Sequence, residues 1–256
     1  MIPPMTPLLT IHLLPTSVVS ARLAGSVAVM IDVLRASTTV THALAAGCES
    51  IRPCRDVEQA RELATRASPC QDNPTPLLAG ERGGTRIDGF DLDNSPSGYT
   101  PTTVGGRTII FTTTNGTSAL ENCRPADMVL VAAFCNIRAV ADTLVQRGQP
   151  VHLVCAGTDG EITAEDCLCA GAIGLELQNR GGFDTHSHDA TRFAISHYQR
   201  VAQDSGQLLA ELRNSHGGRN LRKLGFDDDI ALAARHDTVD LVPAFDTHSS
   251  TIRALA

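Results

Sequence analysis

No apolar stretch in these 256 residues reaches the roughly 18 that a bilayer-crossing helix requires, so no membrane partner is expected. Basic residues are missing before Arg22, and prolines interrupt the apolar N-terminal run MIPPMTPLLTIHLLPTSVV. A signal peptide fits that text poorly, and a first strand over about 8–14 fits it better. Aromatic residues are scarce at 4%, and Tyr99 and the seven phenylalanines are not grouped into a stacking platform for single-stranded nucleic acid. Lys and Arg total 21 against 28 Asp and Glu, and a net charge of -7 argues against a duplex-binding face. No CxxC pair is present to suggest a zinc site, although the chain has eight cysteines. Several of these (Cys48, Cys123, Cys135, Cys155) sit in apolar runs as small hydrophobes, and reduced thiols in a cytoplasmic protein are the default.

What is present is a core: 42% of residues are hydrophobic, enough for one large α/β domain over 1–256 with room for two sub-lobes. Short apolar runs alternate with segments of helical period. The pattern predicts strands near 8–14, 26–33, 77–79, 107–112, 127–133, 150–156 and 239–243. It predicts helices over 37–46, 56–67, 116–123, 137–147, 163–179, 190–212 and 227–235. Gly47 and Gly148 stand where left-handed helix ends would fall. Thr163 with Asp166 three residues on resembles a capping box, and Asn136 is placed to cap the next helix. The stretch from Gly80 to Gly106 has no apolar periodicity and is long for a connection, which marks it as a functional loop.

Three strand-like runs each break into a polar loop that opens a helix, and in a parallel sheet such loops share one edge. Asp32 ends the run SVAVMI, and Arg35, Ser37, Thr38 and Thr39 follow at the helix start. A carboxylate there can hold magnesium, which needs only one or two plus substrate phosphate, and a guanidinium with free helix N–H groups can bind an anion. The plainer alternative is that Asp32 pairs with Arg35 and Ser37 only caps. In the second loop, Thr112 to Thr117, hydroxyls and the amide of Asn115 can line an anion site, although Thr runs and Asn-Gly are also ordinary strand and turn text. The third loop carries Asp159, Glu161, Glu165 and Asp166 with no nearby basic residue in the sequence. Acids suit a helix start in any case, but so many together repel unless a cation or solvent relieves them. In the middle segment Glu81 follows a short apolar run as another strand-end acid. Arg82 beside paired glycines allows close approach to an anion, and Asp91, Asp93 and Asn94 suit turns. Nine histidines are scattered, and His186 and His188 receive no role.

The strings IDVLRASTTVTHALAAG, LLAGERGGTRIDGFDLDNSPSGY, IIFTTTNGTSAL, VCAGTDGEITAEDCLCAGAI and LGFDDDIALAARHDTVDLVP resemble the 2-phosphosulfolactate phosphatase (ComB) family from about Val27 to Pro243. The resemblance implies a ComB-like fold, a three-layer α/β/α sandwich around a mixed, mostly parallel sheet. It also implies Mg2+-dependent hydrolysis of (R)-2-phospho-3-sulfolactate to 3-sulfolactate and phosphate, and a place near coenzyme M or sulfolactate metabolism. Carried over by position, the candidates are Asp32, Arg35, Ser37, Thr38, Glu81, Arg82, Asn94, Ser95, Thr114, Asn115, Glu165 and Asp166, and the roles are read from their chemistry: Asp32, Glu81 and Asp166 as catalytic, with Asp32, Glu81, Glu165 and Asp166 as metal ligands. Arg35, Ser37, Thr38, Arg82, Asn94, Ser95, Thr114 and Asn115 would bind the phosphorylated, sulfonated hydroxy acid, and homodimer formation is left open.

Known covalent phosphatase signatures are missing: no Cys has an Arg six residues on, no Arg-His-Gly occurs, and Asp32-Val33-Leu34 lacks a second Asp. The expected chemistry, in line with the magnesium dependence that the resemblance implies, is phosphoryl transfer polarised by a metal on a carboxylate set including Asp32, with Arg35 and Arg82 neutralising anionic charge and Glu81 or Asp166 as general acid or base. Two other readings fit the same residues. One is a phosphatase for another small phosphorylated 2-hydroxy acid, and the other is a non-catalytic anion-binding relative.

Overall fold

A computed structural model describes residues 6–67, 75–204 and 206–255. Outside them lie the first five residues of the N-terminal run, Cys70, and Ser205 within the helix expected over 190–212.

The strands are β1 (Leu9–His12), β2 (Val27–Ile31), β3 (Ser50–Pro53), β4 (Leu77–Arg82), β5 (Thr85–Arg86), β6 (Thr108–Thr112), β7 (Met128–Ala132), β8 (Val151–Cys155), β9 (Pro243–Asp246) and β10 (Thr251–Ala254). The helices are α1 (Ala36–Ala45), α2 (Val57–Arg66), α3 (Pro101–Val104), α4 (Gly116–Cys123), α5 (Ile137–Arg147), α6 (Ala164–Arg180), α7 (Asp189–Val201), α8 (Gln207–Asn214), α9 (His216–Lys223) and α10 (Asp227–Ala233). The strands form one mixed sheet in the order β1-β8-β2-β7-β9-β10-β3-β6-β4-β5.

Strand alternation builds the sandwich. Val27, Val29 and Ile31 of β2 enter one core with Ile137, Val140 and Leu144 of α5 and Leu168 and Ile173 of α6. Ala28 and Met30, pointing the other way, join Val40 and Leu44 of α1 and Ala119 and Leu120 of α4. A strand with both faces buried has no polar side to alternate, hence its continuous apolar text.

Pairing divides the sheet into two parallel halves, β1-β8-β2-β7 and β3-β6-β4, joined through the antiparallel strands β9 and β10. Three antiparallel steps reverse direction, so the strand-end loops do not share a single carboxyl edge of a parallel sheet as expected. The two halves nevertheless close on each other at one end: Arg35 Nη2 donates to the Gly84 carbonyl and Gly116 lies against Asp32, so the loop after β2 meets those after β4 and β6. Gly80 permits the tight crossing at β4, because a Cβ there would lie 2.0 Å from the Thr112 carbonyl oxygen.

Several expectations are corrected. The expected strand over 239–243 begins only at Pro243, since Val239 donates instead to the Cys135 carbonyl at 2.9 Å in a loop. The helix expected over 190–212 is two helices, with α7 ending at Val201 and α8 starting at Gln207. The capping box at Thr163 does not form, because both carboxylate oxygens of Asp166 are taken by other backbone amides. Asn136 does not cap α5. It accepts from Ala133 N and donates to the carbonyls of Val131 and Leu241, tying the end of β7 to the chain before β9. Gly148 does adopt the left-handed end expected of it, and Gly47 has the matching positive φ. Strands β3, β5 and β10 and helices α3 and α9 were not anticipated. The seven described cysteines are free and buried, and no helix among the described residues is long and apolar enough to cross a membrane.

Candidate active site

The turn after β2 is locked by its own hydroxyls. Ser37 Oγ accepts from Asp32 N at 2.8 Å, Ser37 N donates to the Asp32 carbonyl at 2.8 Å, and Thr38 Oγ1 donates to the Val33 carbonyl at 2.8 Å. These short bonds satisfy backbone groups that the start of α1 would leave open and hold the Asp32 side chain in place. Asp32 Oδ1 accepts from Ala36 N at 3.2 Å, while Oδ2 takes no protein hydrogen bond among the described residues. Ser37 and Thr38 are fully buried and do not line the cavity.

That cavity has a volume of about 390 Å³. Asp32, Arg35, Glu81, Asn94, Thr114 and Asn115 line it, all of them expected from the sequence, together with Asp159 and with Gly217, Asn220 and Lys223 of α9. Glu81 is oriented from three sides: Oε1 accepts from Thr114 N at 2.9 Å and Thr114 Oγ1 at 3.0 Å, and Oε2 accepts from Gly84 N at 2.8 Å. Arg35 does not pair with Asp32. Its Nη1 donates to Asp229 Oδ2 at 2.7 Å and its Nη2 to the Gly84 carbonyl at 2.7 Å, and the guanidinium lies 4.4 Å over the Phe226 ring. Asp229 also accepts from Ser95 Oγ at 2.6 Å, so one carboxylate of α10 ties together the turn after β2 and the loop before α3. Thr39 Oγ1 donating to the Asn94 carbonyl is a second tie between these segments.

The remaining candidates are placed elsewhere. Arg82 turns away from the cavity and donates to the carbonyls of Glu81 and Arg55 and to Thr112 Oγ1. Asp93 accepts from Ser95 N at 2.8 Å, the turn role its text suggested. The acids of the third loop divide: Asp159 and Glu161 are exposed, whereas Glu165 and Asp166 are buried. Asp166 Oδ1 accepts from Val33 N at 2.8 Å and Oδ2 from Gly157 N at 3.0 Å, clamping the ends of β2 and β8 side by side. Glu165 lies beneath Gly217, where a Cβ would stand 2.2 Å from Glu165 Oε1.

Burial and mutual repulsion govern these acids. Asp32 is pushed up to about 7, first by burial and then by Glu81 and Glu165. Glu165 is raised by burial, and Asp166 is raised well above its ordinary value by burial and by Glu165 and Asp32. Among the described residues no three Asp, Glu, His or Cys side chains form a ready-made metal cage. The four acids expected as ligands therefore do not make one chelate, because backbone amides hold both oxygens of Asp166 and of Glu81. Two buried oxygens, Glu165 Oε2 and Asn94 Oδ1, are without partners among the described residues. Asp32 and Asn94 line the cavity and Glu165 lies beneath its Gly217 wall, a set of hard oxygens of the kind a cation takes that is held by one or two carboxylates and keeps its own waters.

The sequence reading missed Asp229, Lys223 and Gly217. Asp229 stands in an Asp-Asp-Asp run at a helix start, where acids are favoured whatever their function. Lys223 belongs to a helix that was not expected at all.

A family model described as 2-phosphosulpholactate phosphatase matches residues 12–248. The chain belongs to this family. Relatives named probable 2-phosphosulfolactate phosphatase include one from Symbiobacterium thermophilum, 40% identical over 225 residues that span 87% of this chain and 92% of the relative. One from Synechococcus sp. strain RCC307 is 42% identical over 86% of this chain and 89% of its own length. Another from Caldanaerobacter subterraneus subsp. tengcongensis is 38% identical over 84% and 86%, respectively. The family is one of phosphoric monoester hydrolases.

Proposed function

We propose that this protein hydrolyses (R)-2-phospho-3-sulfolactate to (R)-3-sulfolactate and phosphate, with Mg2+ as its metal. Family membership and the names of the relatives support the substrate. The observation that carries the chemistry is the cavity floor, where the buried Asp32 carboxylate meets the Glu81 loop and the first residue of α4.

In this reading Asp32 and Glu165 hold the cation, with Asn94 beside it, and the bound Mg2+ supplies positive charge at the phosphoryl oxygens. The protein's own part is positioning and charge stabilisation. Asn115 and the N–H groups opening α4 face the phosphate, and Arg35, fixed by Asp229, Gly84 and Phe226, presents its charge without rearrangement. A water oxygen bonds to phosphorus as the ester P–O bond breaks, and the departing alkoxide takes a proton. Of the two acids considered for that proton, Glu81 lines the cavity and Asp166 does not. Glu81 is therefore the proton carrier, and Asp166 is a positioning residue that joins β2 to β8. Ser37, Thr38 and Arg82 support the loops without touching substrate.

The test is phosphate release from phosphosulfolactate, phospholactate and phosphoglycerate, with Mg2+ and with EDTA. Turnover should require Mg2+, be fastest with the sulfonated substrate and vanish in Asp32→Asn. Faster turnover of an unsulfonated ester would reassign the substrate, and tight binding without phosphate release would make the protein a non-catalytic relative.

A further inference from the structure

Lys223 closes α9 and lines the cavity, and it is the only lysine in a chain that otherwise uses arginine for positive charge. Its neighbour Arg222 pairs with Asp227 at 3.7 Å, and Arg213 of α8 with the same carboxylate at 2.5 Å. Lys223 has no ion-pair partner among the described residues. Of the other ionisable side chains lining the cavity, Asp32, Glu81 and Asp159 are acidic, and the charge of Arg35 is offset by Asp229. Mg2+ held on the floor would be offset by the carboxylates of Asp32 and Glu165, so a substrate bearing three acidic groups entering such a space still needs more positive charge than the floor supplies.

Depth separates the two cations. Arg35 is buried with Asp32 and Glu81, whereas Lys223 is exposed and so belongs to the cavity mouth. Their chemistry differs too: a guanidinium fork matches planar carboxylates and phosphates, while an ammonium is a compact charge with three rotatable donors. A sulfonate presents three tetrahedral oxygens as a phosphate does but carries a single charge that stays ionised throughout the working pH range, so one compact ammonium at the mouth can neutralise it while the more highly charged phosphate takes the floor.

Resting on the function proposed above, we propose that Lys223 is the specificity-determining residue for the sulfonate, pairing with it at the mouth while the phosphate lies on the floor. Hydrogen bonds to charged groups of this kind are worth roughly 10- to 100-fold in affinity.

Two measurements test this. The first is kcat/KM for phosphosulfolactate relative to phospholactate, which lacks the sulfonate, and relative to 2-phosphooxyethanesulfonate, which lacks the carboxylate. In Lys223→Gln the first ratio should fall at least tenfold, mainly through KM, the second should hold, and Lys223→Arg should recover part of the loss. An unchanged first ratio, or a fall in the second instead, would overturn the assignment. The second measurement is acetylation of the single lysine followed by peptide mass spectrometry. Sulfolactate should protect Lys223 and lactate should not, and equal labelling with and without sulfolactate would refute the contact. If the wild-type protein releases no phosphate from any ester, the hydrolase reading fails, while the protection experiment still decides the role of Lys223.

Discussion

The most quantitative consequence of the site concerns Asp32 in the metal-free protein. Its carboxyl is held at about 7 in the fold against an ordinary 3.8, a difference of about three pH units. At 1.36 kcal/mol per unit, the ionised Asp32 destabilises the fold by up to about 4 kcal/mol. Because the folded value is the higher one, this contribution favours folding fully below about pH 4 and is lost as pH rises through about 7. Asparagine keeps the acceptor for Ala36 N and removes the charge. In EDTA, Asp32→Asn should therefore be more stable than wild type, by about 1–2 kcal/mol at pH 5 and about 4 kcal/mol at pH 8. For a chain of this length the widening of about 2–3 kcal/mol is a Tm difference growing by roughly 4–12 °C, readable by circular dichroism melts across that range. A gap that does not change with pH, or a less stable variant at pH 8, would refute the argument.

Other outcomes follow from the same geometry. Mg2+ should raise the Tm of the wild type increasingly as pH climbs from 5 to 8, since it competes with the proton on Asp32, and should raise that of Asp32→Asn far less. Arg35→Met leaves the buried Asp229 charge with only the Ser95 hydroxyl as partner, and should lower stability by about 3–5 kcal/mol in denaturant titrations. Gly116→Ala places a Cβ 2.8 Å from Asp32 Oδ2 and 2.9 Å from the Ala36 Cβ, and should reduce kcat at least tenfold while costing about 1–3 kcal/mol of stability. Glu81→Gln removes the titratable proton and one of the two acceptors that hold the Thr114 and Gly84 amides, and should lower kcat by about 10²-fold or more, as expected when a proton carrier is lost.

Legibility varied with the physical signal. Strands β2, β6, β7 and β8 are fully or nearly buried on both faces and read as unbroken apolar runs. Strands β3 and β10 are four residues each, with polar text such as SIRP and TIRA, and gain their place from pairing with each other across the middle of the sheet. That pairing joins the two half-sheets, and no local pattern announces it. In the candidate site, Asp32 and Glu81 are legible because each is an acid at the end of a short apolar run, whereas Thr114 and Asn115 stand in text that is equally ordinary for a strand end and a turn. Asp229 is invisible for the opposite reason: it stands among acids that a helix start favours anyway, and only its burial beside Arg35 and Ser95 sets it apart. Arg82 shows the converse, since glycines around an arginine suggest anion binding, yet its donors satisfy carbonyls of neighbouring strand ends.

A crystal structure with Mn2+ in place of Mg2+ and with inorganic phosphate tests the central claim most directly. An anomalous peak is expected within direct coordination distance of an Asp32 oxygen, with the phosphate beside it at the start of α4. A peak away from Asp32, or phosphate bound outside this cavity, would contradict it.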